Sequence, residues 1–114
     1  MVQFISQILT ENGYVVYTKM PSFSQGAEPE LYLVVTQYDS VKARNDGRIQ
    51  SIGCNVTVAI IGTDETAADT AKNRIINILE QQGVYYRGTA YSSDLEYPQQ
   101  FRRDMEFYGV KGVE

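Results

Sequence analysis

Apolar residues at every second position predict a long strand over residues 48–61. Successive side chains of a strand point to opposite faces, so alternate residues share a face. One face, which we expect to point into the core, carries Cys54, Val56, Val58 and Ile60. The other carries Asn55, Thr57, Ala59 and Ile61. We expect Cys54 to fill the core as a small apolar side chain.

Residues 31–41 are rich in β-branched and aromatic residues, which predicts a second long strand. Asn45, Asp46 and Gly47 stand between the two strands and tolerate the left-handed backbone of a tight turn. We therefore predict a long hairpin whose tip, residues 42–48, projects from the domain. Shorter strands are expected at residues 14–17, 85–91 and 101–110.

Helical spacing predicts two helices. The first is amphipathic and stops at Asn12 and Gly13. Its apolar residues are Phe4, Ile5, Ile8 and Leu9. The second begins at a Thr63 or Asp64 cap, runs to about Gln82 and ends before Gly83. Its inward stripe is Ala68, Ala71, Ile75, Ile78 and Leu79.

The predicted element order is α, β, β, β, α, β, β over 114 residues. This order predicts one α+β domain over residues 1–114, with a mostly antiparallel sheet of four to five strands and helices packed on one face. A flexible loop is expected at residues 21–30, where prolines, serines and Gly26 oppose a regular element.

The second face of the sheet is also apolar in the first hairpin strand. Tyr32, Val34 and Tyr38 point away from Leu31, Leu33 and Val35, whereas a one-sided antiparallel sheet alternates cleanly between apolar and polar residues. Either the loop or the first helix covers this face, or the chain associates through it. On the second hypothesis, and with the hairpin tip included, the expected interface is Tyr32, Val34, Tyr38, Lys42, Arg44, Arg48 and Tyr108.

The composition disfavours catalysis. The chain has no histidine and one cysteine, so it lacks the commonest general base and metal ligand and forms no disulfide within itself. No serine lies in a nucleophile motif and no glycine-rich phosphate loop is present. We therefore expect no enzyme activity, catalytic residue, metal site or cofactor. A small ligand-binding domain or enzyme that uses Asp94, Glu96 or Asp104 is the weaker alternative.

The net charge and the local charges limit the classes of partner that we expect. The net charge of −4 opposes attraction to nucleic acid or to anionic lipid, and no apolar run is long enough to cross a bilayer. The first residues do not resemble a secretion signal, so we expect a cytosolic product without a membrane partner. Lys42, Arg44 and Arg48 make the hairpin tip locally basic, and an adaptor that binds one acidic protein through this tip is a further alternative.

The element order, together with Asp46-Gly47, the strands at residues 31–36 and 54–58, and the closing strand at 101–108, resembles the tail-completion or tail-terminator proteins of tailed bacteriophages and prophages. The resemblance covers nearly the whole chain. It implies a non-enzymatic virion-assembly protein that forms a ring, typically a hexamer, at the head-proximal end of the tail. The implied partners are the tail-tube protein and a head-completion protein. The implied location is the bacterial host cytoplasm during assembly and the virion tail or neck afterwards.

Overall fold

The computed structural model describes residues 1–24, 28–45, 48–94 and 100–112. For residues 39–45, 48–52, 92–94 and 111–112 only the backbone is described. The two helices are α1 (Val2–Glu11) and α2 (Glu65–Gln81). The five strands are β1 (Val16–Tyr17), β2 (Leu31–Asn45), β3 (Arg48–Gly62), β4 (Tyr85–Asp94) and β5 (Gln100–Gly112). The element order is the predicted one.

The strands form one mixed sheet in the order β1-β2-β3-β5-β4. The pairings of β2 with β3, β3 with β5 and β5 with β4 are antiparallel. β1 pairs with β2 in parallel through only two residues, Val16 opposite Leu33 and Tyr17 opposite Val34. The chain can make this parallel pairing because a long loop separates β1 from β2, whereas a tight hairpin would have made it antiparallel.

The main core lies between the two helices and one face of the sheet. The helices bury Ile5, Leu9, Ile75 and Leu79 in the same cluster that contains the alternate residues of β2, β3 and β5. From the strands this cluster takes Leu33, Val35, Cys54, Val56, Val58, Ile60, Met105 and Phe107. The predicted core face of β3 is confirmed, and Cys54 is a buried free thiol within it.

The start of α2 and the C-terminal ends of both helices lie where the sequence predicts them. Asp64 caps α2, since its carboxylate accepts hydrogen bonds from the amides of Thr66 at 3.0 Å and Ala67 at 3.3 Å. Beyond the helix, Gly83 has a φ of 80°, a backbone conformation that glycine adopts without strain. Gly13, with a φ of 92°, follows α1 in the same way. These turns direct the chain back onto the sheet.

The molecule is elongated, with dimensions of 54 × 26 × 25 Å. β2 and β3 have 15 residues each and so extend about 50 Å, whereas the 17 residues of α2 extend about 25 Å. About half of the hairpin therefore lies beyond the reach of α2. We call this half, residues 39–45 and 48–52, the arm.

Candidate interaction surface

The face of the sheet that points away from the helices has a covered part and an open part. Near β1, the loop after Tyr17 lays Phe23 over a second apolar cluster. The buried members of this cluster are Tyr32, Val34, Ala59 and Ile61. Tyr17, Phe23 and Tyr32 stack edge to face, with ring centroids 5.2 to 5.9 Å apart. The chain thus covers this part of the sheet with its own loop.

Two residues of the predicted interface are consequently not on the surface of a single chain. Tyr32 is 5% exposed and Val34 is 4% exposed. This corrects the interface prediction for both residues and agrees with the alternative in which the loop covers this face, since Phe23 packs against them. Burial, aided by the nearby Glu28 carboxylate, raises the pKa of Tyr32, while the Arg102 guanidinium opposes this shift.

Further along the same face, no loop among the described residues covers the sheet. Strand register places Tyr85 opposite Tyr108, and Tyr108 opposite Asn55. Val110 lies opposite Gly53 on the next position of the same face. We name the surface formed by Tyr38, Tyr85, Tyr108 and Val110 the open face.

The open face exposes large side chains to solvent. Tyr38 is 54% exposed, Tyr85 is 63% exposed and Val110 is 52% exposed. Tyr108 is half-buried because its ring lies over Gly53, where a Cβ atom would collide with the phenol. The smallest residue at position 53 thus allows Tyr108 to lie against the sheet at the base of the arm. This arrangement places aromatic area on a rigid scaffold, which is typical of protein interfaces.

A bulge in β2 explains the position of Tyr38. Gln37 lies opposite Val56 and Asp39 lies opposite Asn55, so Tyr38 is an extra residue without a direct partner on β3. The regular alternation assumed from the sequence therefore ends at Gln37. Tyr38 is exposed.

Polar contacts fix the middle of the open face. Asn55 is only 8% exposed, and its side-chain oxygen accepts a hydrogen bond of 3.1 Å from the guanidinium of Arg87. Arg87 lies at a second bulge, between Tyr86 and Gly88 of β4. The bond ties β4 to β3 across β5 and so holds the tyrosines in a fixed arrangement.

The basic residues of the predicted interface lie on the arm. Lys42 belongs to β2, opposite Ile52, and Arg44 lies opposite Ile49. Arg48 begins β3 and lies opposite Asn45. The side chains of all three are outside the described part of the structure.

Of the three carboxylates that the alternative enzyme or ligand-binding hypothesis uses, only Asp104 has a described side chain. Asp104 forms an ion pair of 2.9 Å with Arg102, and Glu106 is exposed. The Asp94 side chain and Glu96 lie outside the described residues. Among the residues that are described, no group of three or more acidic or cysteine side chains is placed to hold a metal ion.

An ion-pair network around the buried Arg103, which the sequence analysis did not identify, joins α2 to the sheet. The side chain of Arg103, 5% exposed, donates hydrogen bonds to Glu65 at 3.1 Å and Asp69 at 3.0 Å, and its guanidinium lies over the ring of Tyr91. Lys72 donates a 2.6 Å bond to the Tyr91 hydroxyl, which raises the pKa of Lys72. The sequence contains a signal for this network, because Arg103 is the one charged residue on the apolar face of β5 between residues 101 and 109, and Glu65 and Asp69 share one side of α2.

No protein-family model matches the sequence, and no curated protein is significantly similar to it. Neither α1 nor α2, the two helices in the described part of the chain, is long and apolar enough to cross a bilayer.

Proposed function

We propose that this chain is a non-enzymatic structural subunit of a tailed phage or prophage particle. On this proposal, copies of the chain form a ring that caps the tail tube and joins it to the head connector. The observation that carries the proposal is the open face, where Tyr38, Tyr85 and Val110 are each more than half exposed on a rigid sheet.

The rest of the molecule supports an assembly role. A closed ring requires a heterologous contact, in which one surface of a subunit meets a different surface of its neighbour. The chain offers two distinct candidates for such a contact, the open face and the arm. The element order is also the order that underlies the resemblance to tail-terminator proteins.

The assembly hypothesis can be tested by light scattering coupled to size-exclusion chromatography over a range of protein concentrations. We expect the wild-type protein to form a discrete oligomer, and Tyr85→Asp to shift the population toward monomer without loss of secondary structure. A charge on an interface aromatic must be desolvated when the copies associate, which opposes association.

Met20→Asp is the matched control, because Met20 is 54% exposed on the loop, away from the open face. It introduces the same charge and should leave the oligomer unchanged. A wild-type protein that stays monomeric at every concentration and in the presence of purified tail tubes would contradict the proposal. Equal effects of Tyr85→Asp and Met20→Asp would exclude the open face as the contact.

A further inference from the structure

Two strand edges in the sheet lack a neighbour among the described strands. β1 covers only Leu33 and Val34 of β2, so the edge of β2 from residue 35 to residue 45 is unpaired on that side. The pairing of β4 with β5 begins at Tyr85 opposite Tyr108, whereas β5 continues to Gly112. Residues 109–112 are therefore paired with β3 on one side and open on the other.

The open edge of β5 lies along a groove. This groove, of about 510 Å³, runs between the start of α1, the turn from α2 into β4, and Val110. Met1, Phe4 and Val84 contribute apolar side chains to its lining, and Phe4 is 45% exposed. Gln3, Gln7 and Gln82 contribute polar side chains. The described residues that line it include no charged side chain.

The groove borders the position that a strand in line with β4 would occupy beside β5. Gly109 allows the first turn of α1 to approach β5, since the side chain of Met1 fills the space that a Cβ atom at position 109 would need. An unpaired strand edge offers main-chain donors and acceptors that another strand satisfies, and an adjacent apolar groove receives alternate side chains. The chemistry of the site therefore requires an extended polypeptide segment.

From these two edges we infer that β2 of a second copy occupies the empty position beside β5. This inference rests on the proposed function and specifies its subunit contact. The chain itself supplies the complementary element, because residues 39–43 of β2 form a regular stretch between two bulges with an unpaired outer edge. Pairing β2 of one copy with β5 of the next is heterologous, so it can repeat around a ring.

The pairing also continues the open face. Val110 belongs both to the open face and to the groove, and Tyr38 lies immediately before the regular stretch of β2. A neighbour bound at the β5 edge would therefore bring its Tyr38 close to Val110. Main-chain hydrogen bonds would provide the orientation, while the exposed aromatic and aliphatic side chains would provide the buried apolar area.

Cross-linking between two variants that each carry one added cysteine tests this contact. We would mix Tyr38→Cys with Val110→Cys and add a flexible bismaleimide that reaches about 15 Å, enough to cover any register of a five-residue pairing. Native Cys54 is 4% exposed and so should not react. We expect covalent dimers in the mixture and none with either variant alone, since each variant alone carries only one side of the contact.

Several outcomes would overturn the inference. Dimers formed by Val110→Cys alone would indicate that two β5 edges meet, and dimers formed by Tyr38→Cys alone would indicate that two β2 edges meet. A wild-type oligomer whose mixed variants assemble but do not cross-link would reject this contact and leave the proposed function standing. A wild-type protein that is monomeric alone and with tail tubes would reject both.

A second variant tests the groove without cysteine chemistry. Val110→Lys should abolish the oligomer, because a lysine beside the unpaired edge of β5 would place a charge where β2 of a neighbour would bind. Gln81→Lys, at an exposed position of α2, is the control and should assemble as the wild type does. Both variants should have the circular dichroism spectrum of the wild type, and an oligomeric Val110→Lys protein would contradict the proposed contact.

Discussion

At the scale of single residues, the two faces of the sheet should respond differently to the same substitution. Val56 is completely buried between the helices, so Val56→Asp places an unpaired charge in the core and should destabilise the fold by about 4 kcal/mol or more. Tyr38 is exposed, so Tyr38→Asp should leave the domain folded and weaken only association. Urea unfolding followed by circular dichroism distinguishes the two, and an unfolded Tyr38→Asp protein would show that Tyr38 belongs to the core.

Tyr32 gives a pH-dependent prediction at the same scale. Its raised pKa keeps the phenol neutral in the folded protein at a pH where the unfolded chain, with an ordinary pKa near 10, begins to lose the proton. The contribution of Tyr32 to the free energy of unfolding is therefore complete below pH 10 and decreases as the pH rises above it.

Denaturant unfolding between pH 9 and pH 11 measures this decrease. Tyr32→Phe removes the ionisable group while keeping the ring against Tyr17 and Phe23, so its stability should fall less steeply with pH than that of the wild type. Identical slopes for the two proteins would show that the phenol of Tyr32 is as solvated in the folded chain as in the unfolded chain.

At the scale of elements, the Arg103 network holds α2 on the sheet. Removing its two carboxylates should lower the stability more than removing Arg103. Glu65 and Asp69 are half-exposed, with side-chain exposures of 60% and 46%. Removing them by Glu65→Gln with Asp69→Asn leaves a buried guanidinium without its carboxylates, which should cost about 2 kcal/mol or more. Arg103→Met leaves the carboxylates in water and fills the space with an apolar chain, so its cost should be within about 1 kcal/mol.

Thermal or urea unfolding of the three proteins measures this difference. Equal destabilisation by the two changes would indicate that the ion pairs themselves, rather than the buried charge, determine stability. Neither change touches the open face, so both proteins should retain the wild-type oligomeric state.

The elements also show what could be predicted from the sequence. The core face of β3 follows from apolar residues at every second position, and the end of α2 follows from the left-handed cap at Gly83. Neighbouring residues alone determine both patterns. Local patterns do not predict the cover over Tyr32, because Phe23 lies in a segment without periodicity and reaches the sheet only through the tertiary fold.

The partner of Arg103 and the bulge at Tyr38 were missed for a related reason. The alternation of β5 places Arg103 on the apolar face, but only the packing of α2 determines which acidic residues meet it. The bulge depends on the register between β2 and β3, which a single strand does not encode. The sequence thus predicted that the second face of the sheet is apolar. The residues exposed there are Tyr38, Tyr85 and Val110, whereas Tyr32 and Val34 are buried.

At the scale of the whole molecule, the elongated shape separates a covered end of the sheet from an open end. One end is closed by both helices and by Phe23 and forms the stable domain. The other end carries the open face, the unpaired strand edges and the arm. A single chain therefore hides its apolar surface at one end and offers it at the other, which is the arrangement a subunit of a larger assembly requires.

The most direct test of the assembly role is electron microscopy of purified phage tail tubes incubated with this protein. We predict a ring of the protein at one end of each tube and none along the tube walls, with Tyr85→Asp failing to form the ring and Met20→Asp forming it normally. Bare tube ends at saturating protein, or protein bound along the walls without preference for an end, would contradict the proposed function.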